Sequence, residues 1–311
     1  MTSTKSVKQR IKSVKNTSQI TKAMEVVSAT KMRRSQEFAL IARPYAVASL
    51  ELLNNLLVRT PILPDLLQAR SITRTCYLVV TSDKGLAGAF NGNILKKFES
   101  LMQANVQTHA TFTTIAVGKK IRDYVERKNI PMEKKFWGFG DYTTLEETKD
   151  IADMIIKGYR SELWDQVIAV YTNFRSTLRQ ETVAKKILPA TREGITDTII
   201  GILPESGRFS QTQMRDTQNE NRFSFEYKFE PSSKEILDSL AIQLIRIHVH
   251  HIILESNASE HSARMVAMKS ASDNARELME KLTIAYNKAR QSGITQELTE
   301  ITAGREALEG Q

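Results

Sequence analysis

The sequence predicts an α/β protein in which long N- and C-terminal helices pair as an antiparallel two-helix coiled coil around an inserted domain of alternating strands and helices. Three observations lead there: the placement of the prolines, apolar seams at both ends, and a change of period between them. All seven prolines (Pro44, Pro61, Pro64, Pro131, Pro189, Pro204, Pro231) lie at or before Pro231, and the 80 residues after it contain none. Pro231-Ser-Ser-Lys-Glu is a helix start. From there one register advances in steps of three and four: Leu237, Leu240, Leu244, Ile247, His251, Leu254, Ala258, His261, Met265, Met268, Ser272, Ala275, Met279, Leu282, Tyr286, Ala289. Thirteen of these sixteen are apolar or aromatic, which is a heptad seam rather than chance. The C-terminal helix is assigned to 231–311.

The N-terminal helix is assigned to 1–58. The segment is free of glycine and rich in Lys, Arg, Gln, Ala and Met, with apolar positions at Val7, Ile11, Val14, Ile20, Met24 and Val27, then Phe38, Ile41, Tyr45, Leu52, Leu53 and Leu56. Pro44 is expected to bend or weaken it, and Thr60-Pro-Ile-Leu-Pro64 to end it. Between the helices, 72–230 forms the inserted domain. Thr75–Thr81, Ala110–Val117 and Gln166–Tyr171 are β-branched and aromatic strands. Helical stretches at Gly92–Asn105, Lys119–Lys128 and Leu145–Leu163 separate them, so the sheet is expected to be mostly parallel with helices on its faces. Residues 204–221 read as a polar loop and Arg222–Glu230 as one more strand.

Because the domain is inserted between them, both helices meet it at their inner ends. At ~1.5 Å per residue, helices of roughly 55 and 75 residues span roughly 80 and 110 Å, so the second overhangs by roughly 30 Å. Its apolar residues Ile294, Leu298, Ile301 and Leu308 then have no helix of this chain to cover them, which points to a protein partner that grips the tip.

The 311 residues carry 44 Lys and Arg against 35 Asp and Glu, a net charge of +9. Residues 1–43 hold ten basic and two acidic side chains, so that arm accounts for +8 of it and faces an acidic partner. One cysteine, Cys76, excludes an internal disulfide and a Cys-rich zinc ribbon. No apolar run approaches the roughly 20 residues of a membrane span, and the basic start lacks the apolar centre of a secretory signal. A soluble, reducing compartment is expected.

Little in the chain promises chemistry. Thr81-Ser-Asp-Lys-Gly-Leu-Ala-Gly-Ala-Phe-Asn91 follows the first strand and enters a helix, where a phosphate loop would sit. Its spacing fits neither GxGxxG nor GxxxxGK[ST], so a structural turn or docking loop is expected there. His248 and His251 share a helical face with His250 beside them, but ligands are too few for zinc; His251 is expected in the seam, the others facing solvent or a partner. Cys76 reads as a small core residue. No catalytic set stands out, and no cofactor or metal site is expected. Nucleic-acid binding by residues 5–34 is the competing reading of the basic arm, weakened because Phe38 and Tyr45 are its only nearby stacking aromatics.

Segments at both ends and at the start of the middle domain carry a resemblance. Arg10-Ile-Lys-Ser-Val-Lys-Asn-Thr-Ser-Gln-Ile-Thr-Lys-Ala-Met24, continuing through Val27-Ser-Ala-Thr-Lys-Met-Arg-Arg34, resembles the N-terminal helix of the gamma subunits of F-type ATP synthases. Ser82–Asn91 is similar to that family's first strand–loop segment. Ala258-Ser-Glu-His-Ser-Ala-Arg-Met-Val-Ala-Met268, with Tyr286-Asn-Lys-Ala-Arg-Gln291 and Ile294-Thr-Gln-Glu-Leu-Thr-Glu-Ile301, is the strongest match.

The resemblance implies a non-catalytic central rotor: a coiled-coil shaft inside the α3β3 hexamer of alpha and beta subunits, with a Rossmann-like foot on the c-ring and epsilon subunit. It implies no nucleic-acid partner and membrane contact only through the c-ring. By position, Arg290, Gln291 and Thr295 would contact a β-subunit catch loop. Lys22 and Met24 would face the acidic lever of β, and Lys84 the lower rim of the hexamer. Tyr227 and Glu230 would touch the c-ring, while Ile294, Leu298, Ile301 and Leu308 would fill the apolar sleeve. Two features depart from the family: Gly304-Arg305 stands where Gly-Ala is usual, putting a charge on the tip, and the cysteine-bearing insert of chloroplast members is missing. The Met1 start without an Arg/Ser-rich leader favours the cytoplasmic face of a bacterial inner membrane, the alternative being the matrix side of the mitochondrial inner membrane.

Overall fold

A computed structural model of the chain describes residues 4–59, 64–107, 110–190 and 232–309. In chain order the elements are α1 (Thr4–Arg59), β1 (Arg74–Val80), α2 (Phe90–Gln107), β2 (Thr111–Val117), α3 (Lys119–Lys128), β3 (Met132–Phe136), α4 (Leu145–Arg160), β4 (Gln166–Phe174), β5 (Gln180–Leu188) and α5 (Ser233–Glu309). The expected fold class holds: two long terminal helices flank a sheet domain. The loop expected at 204–221 and the strand expected at Arg222–Glu230 lie outside the described residues. Two compact units result, one being Ser28–Arg264 and the other Met1–Val27 together with Met265–Gln311.

Within Ser28–Arg264 the five strands lie in the order β3-β2-β1-β4-β5. β1 pairs in parallel with β2 and β4, β2 in parallel with β3, and β5 runs antiparallel on the edge beside β4. Helices cover both faces. Cys76, Leu78 and Val80 of β1 point to a core shared with α4 and α5, while Tyr77 and Val79 point to a core shared with α2 and α3. Burial on both faces explains why β1 is a continuous apolar run rather than an alternating one. β3 and β5 were not expected from the sequence. β3 (MEKKF) is a charged edge strand, exposed at three of five positions, and edge strands carry charge because it blocks further pairing.

Local chemistry sets the element ends. Thr144 and Glu147 form a reciprocal capping box at the start of α4. Asn129 ends α3 in the left-handed conformation. Ahead of β1, Asp165 accepts from the Thr73 and Arg74 amides (3.0 and 2.8 Å), the Thr73 hydroxyl (2.7 Å) and the Arg74 guanidinium (3.2 Å). Burial pushes its carboxyl pKa up, but these four donors win and hold it well below the usual carboxylate range.

All sixteen seam positions assigned to the C-terminal helix are buried or half-buried. Its apolar first part, Leu237 to Ile253, packs on the sheet core. By length and composition alone this helix could pass for a membrane span, contrary to the sequence expectation, but most of that stretch is buried inside the protein. α1 runs unbroken from Thr4 to Arg59, so Pro44 does not interrupt it. Its seam differs in part from the expected one: Val7 is buried as expected, but Ile20 and Val27 are exposed, and Thr21, Ser28, Met32 and Ser35 are buried instead. Small hydroxyl residues fill the helix contact, and shape rather than apolarity chooses the face. In the smaller unit, Ser272 of α5 donates to the Ser18 carbonyl of α1 (3.5 Å).

Candidate partner-binding surfaces

The loop after β1, where a nucleotide site would be built ahead of α2, is bonded to the start of α3. Asp83 accepts from the Lys119 amide (2.9 Å), the first of α3, and from the Gly138 amide (2.8 Å). The Lys120 amide donates to the Ser82 carbonyl (3.2 Å) and the Ile121 amide to the Thr81 hydroxyl (3.0 Å). Protein groups thus occupy the N-terminus of α3, the helix that follows β2. Gly118, at φ +97°, is what permits this approach, since a Cβ there would sit 2.2 Å from the Thr81 carbonyl oxygen. Asn91 ties the loop back through Ser82, accepting from its amide (3.1 Å) and donating to its hydroxyl (2.8 Å).

The second place to look is the switch point of the sheet, between the carboxyl ends of β1 and β4, where open α/β sheets bind ligands. Here α5 fills it. Ser259 donates to the Thr172 carbonyl (3.0 Å), Ser262 to the Thr177 carbonyl (2.8 Å), and Gln180 to the Ser262 hydroxyl (3.2 Å). Met32 of α1, Phe174 and Ala258 close a small apolar cluster beside them.

A polar chain, not foreseen from the sequence and buried at its His261 and Arg264 end, joins these loops to the helices. Lys31 pairs with Asp141 (2.8 Å), whose other oxygen lies 2.6 Å from His261 Nε2. On the far side of the ring, Nδ1 lies 3.3 Å from Arg264. Arg264 also donates to Glu260 (2.6 Å) and to the carbonyls of Gly85 (3.3 and 3.2 Å) and Lys84 (3.4 Å). Burial, opposed by Asp141, lowers the His261 pKa to about 4. A His–Asp pair is half of a hydrolytic triad, but Arg264 occupies the nitrogen a nucleophile would need. The sequence signal was present in the Ala258–Met268 motif; its partner Asp141 is 120 positions away.

The three histidines correct an expectation. His251 lies in the seam, but His248 and His250 are buried too rather than facing solvent. Burial lowers the pKa values to about 3 for His248, 4 for His250 and 3 for His251. His250 Nδ1 lies 3.3 Å from the Thr148 hydroxyl. Glu255, fully buried, is pushed up to about 8. Among the described residues, no group of three or more His, Cys, Asp or Glu is placed to hold a metal ion. Cys76 is buried, and desolvation raises its thiol pKa above the ordinary range.

The remaining assigned residues are solvent-facing. Lys84 is exposed on the loop after β1. In the unit formed by Met1–Val27 and Met265–Gln311, Lys22 is exposed and paired with Glu25 (3.0 Å), with Met24 half-buried between. Arg290, Gln291 and Thr295 are exposed on α5, the Thr295 hydroxyl donating to the Gln291 carbonyl (3.0 Å). α5 loses its cover here: Gly293 is its last half-buried residue, and every residue from 294 to 305 is exposed. Ile294, Leu298 and Ile301 are 49%, 59% and 68% exposed. The side chain of Leu308, and all of Tyr227 and Glu230, lie outside the described residues.

Comparison with known proteins adds to this geometry. A family profile described as ATP synthase matches residues 3–308. The chain is 37% identical to the ATP synthase gamma chain of Gloeothece citriformis, over 99% of this chain and all of that one. It is 35% identical to that of Heliobacterium modesticaldum, over 97% of this chain and 98% of that one. Among solved structures it is similar to a chain of the Euglena gracilis mitochondrial ATP synthase (OSCP/F1/c-ring, rotational state 3). That match has a TM-score of 0.63 and 18% identity, and covers 98% of this chain and 94% of that one. It is also similar to a chain of the Tetrahymena thermophila mitochondrial ATP synthase (central stalk and c-ring), with a TM-score of 0.56 and 21% identity, over 81% of this chain and 99% of that one. At these identities the structural likeness speaks to the fold.

Proposed function

The chain belongs to the ATP synthase gamma-chain family, and from that membership we propose that it is the central rotor shaft of an F-type ATP synthase. In this role it couples proton-driven rotation of a c-ring to sequential conformational changes in the catalytic beta subunits, and runs in reverse when ATP hydrolysis drives it. The observation that carries the reading is the bare apolar tip of α5, where Ile294, Leu298 and Ile301 stand exposed on a helix whose seam is otherwise covered. An exposed apolar stripe of this kind needs a protein sleeve. The chain itself is read as non-catalytic: its own α5 fills the crevice where a substrate would bind, and Arg264 occupies the free nitrogen of the His261–Asp141 pair.

Residues 1–58 and 231–311 form the shaft and 72–230 the foot. Lys22, Met24, Lys84, Arg290, Gln291 and Thr295 are assigned to beta-subunit contacts. All but half-buried Met24 are exposed, and exposed polar side chains on rigid helices suit directional pairing. Tyr227 and Glu230 are assigned to the c-ring on family resemblance. Alpha, beta and epsilon subunits and the c-ring are the partners, and the chain sits peripherally on the cytoplasmic face of a bacterial membrane.

Mixing the purified chain with alpha and beta subunits from the same source tests this. One co-eluting complex whose sustained ATPase turnover requires the chain is expected. Elution of the chain alone overturns the reading and moves salt-dependent DNA binding to the front. Within the complex, Arg290→Ala with Gln291→Ala and Thr295→Ala lowers turnover without lowering the melting temperature of the free chain.

A further inference from the structure

We propose that His261 is a positioning residue of the rotor, whose imidazole, held as the Nε2–H tautomer, fixes the loops at 82–91 and 137–144 to α5 so that the sheet domain and that helix turn together. The inference rests on the rotor reading.

The tautomer follows from the partners. Asp141 is ion-paired with Lys31 and accepts only, so the proton between it and His261 sits on Nε2. Arg264 donates only, so Nδ1 must accept. A neutral ring meets both demands. A protonated ring would set an N–H against the guanidinium. The ring is therefore an oriented link, acceptor on one side and donor on the other, inserted between a carboxylate on one loop and an arginine that grips the carbonyls of Lys84 and Gly85 on another. Lys31 extends the link to α1.

What this adds to the apolar core is direction. Apolar burial resists separation but is indifferent to orientation, whereas a satisfied buried network fixes one geometry. α5 carries Glu260, His261 and Arg264 on adjoining turns, so it holds both loops at a single place. Asn257 on the preceding turn adds a bond to the Gly140 carbonyl (3.0 Å).

A glutamine can replace both functions of the ring, since its amide offers one acceptor and one donor group; alanine offers neither. In the membrane-reconstituted complex, His261→Ala is expected to speed amide hydrogen exchange across 138–144 and 84–86 by about tenfold to a hundredfold, as polar partners left unsatisfied imply. It should also lower the protons moved per ATP hydrolysed. His261→Gln should restore both. If His261→Ala does not fold, Arg264→Lys, which keeps the charge but cannot span ring and carbonyls together, should give the same local pattern. Unchanged exchange in His261→Ala, or His261→Gln as impaired as alanine, overturns the inference. Should the unsubstituted chain form no complex, the rotor reading fails instead, and the exchange contrast in the free full-length chain still decides whether His261 fixes the loops.

Discussion

Removing residues 294–311 should leave the fold untouched and cripple assembly. Every residue from 294 to 305 is exposed, and Gly293, the last half-buried residue before them, is retained. Stability of the free chain should therefore change by no more than about 0.5 kcal/mol, the range of surface changes that touch no packed feature. The cost to assembly follows from the exposed side chains. Full burial of an Ile or Leu side chain is worth about 1.5–3 kcal/mol, and Ile294, Leu298 and Ile301 have 49%, 59% and 68% still to bury. Each then contributes about 1–2 kcal/mol and the three together about 3–5, a factor of roughly a hundred to a few thousand in Kd. Competition between labelled full-length and truncated chain for the α3β3 hexamer measures that factor, and thermal unfolding of the free chain measures the first claim. Ile294→Ser with Leu298→Ser and Ile301→Ser keeps the helix and should reproduce the loss. A melting temperature several degrees lower in the truncated chain would mean that the tip packs on its own protein. An unchanged Kd would mean that nothing grips it.

Three further outcomes follow from buried geometry. Gly158→Ala brings a Cβ to 1.9 Å from the Trp164 ring; overpacking of this kind costs about 1–3 kcal/mol, read as a lower urea midpoint at unchanged slope. Asp165→Asn removes the charge that four donors surround and should cost about 1.5–3 kcal/mol at pH 7. The difference should shrink as pH falls through the range where the unfolded carboxyl, at about 3.9, takes up its proton. The histidine pKa values, depressed to about 3, 4 and 3 at His248, His250 and His251, contribute stability that is present above about pH 6.5 and lost as pH falls below it. Glu255, raised to about 8, has the opposite sign: its contribution is complete below about pH 4.3 and lost as pH rises through 8. Melting curves at pH 5, 7 and 9 should fall on both sides, and Glu255→Gln should flatten the alkaline side alone.

The long elements were legible because periodicity is a local property. The seam from Leu237 to Ala289 could be followed by counting, and every position along it is shielded. On α1 the same counting chose Ile20 and Val27, which are exposed, over Ser18, Thr21 and Ser28. Apolar identity misleads where two helices meet through small hydroxyl residues. β3 escaped because Glu133, Lys134 and Lys135 hide a strand that, among the described residues, pairs with β2 alone. The exposed tip could be read from helix lengths alone, whereas the Lys31–Asp141–His261–Arg264 chain could not. It joins side chains on three separate segments, and nothing in the spacing of His261 and Arg264 announces an aspartate over a hundred positions upstream.

The filled crevice at the end of β1 and β4 also bears on what this domain can sense. A ligand shifts a conformational equilibrium only through unequal affinity for its two states. Where Ser259 and Ser262 already bond the Thr172 and Thr177 carbonyls, and Asp83 already holds the first amide of α3, a ligand that used these groups would have to displace the protein's own bonds first. The polar groups at these two places are committed to the protein's own chain.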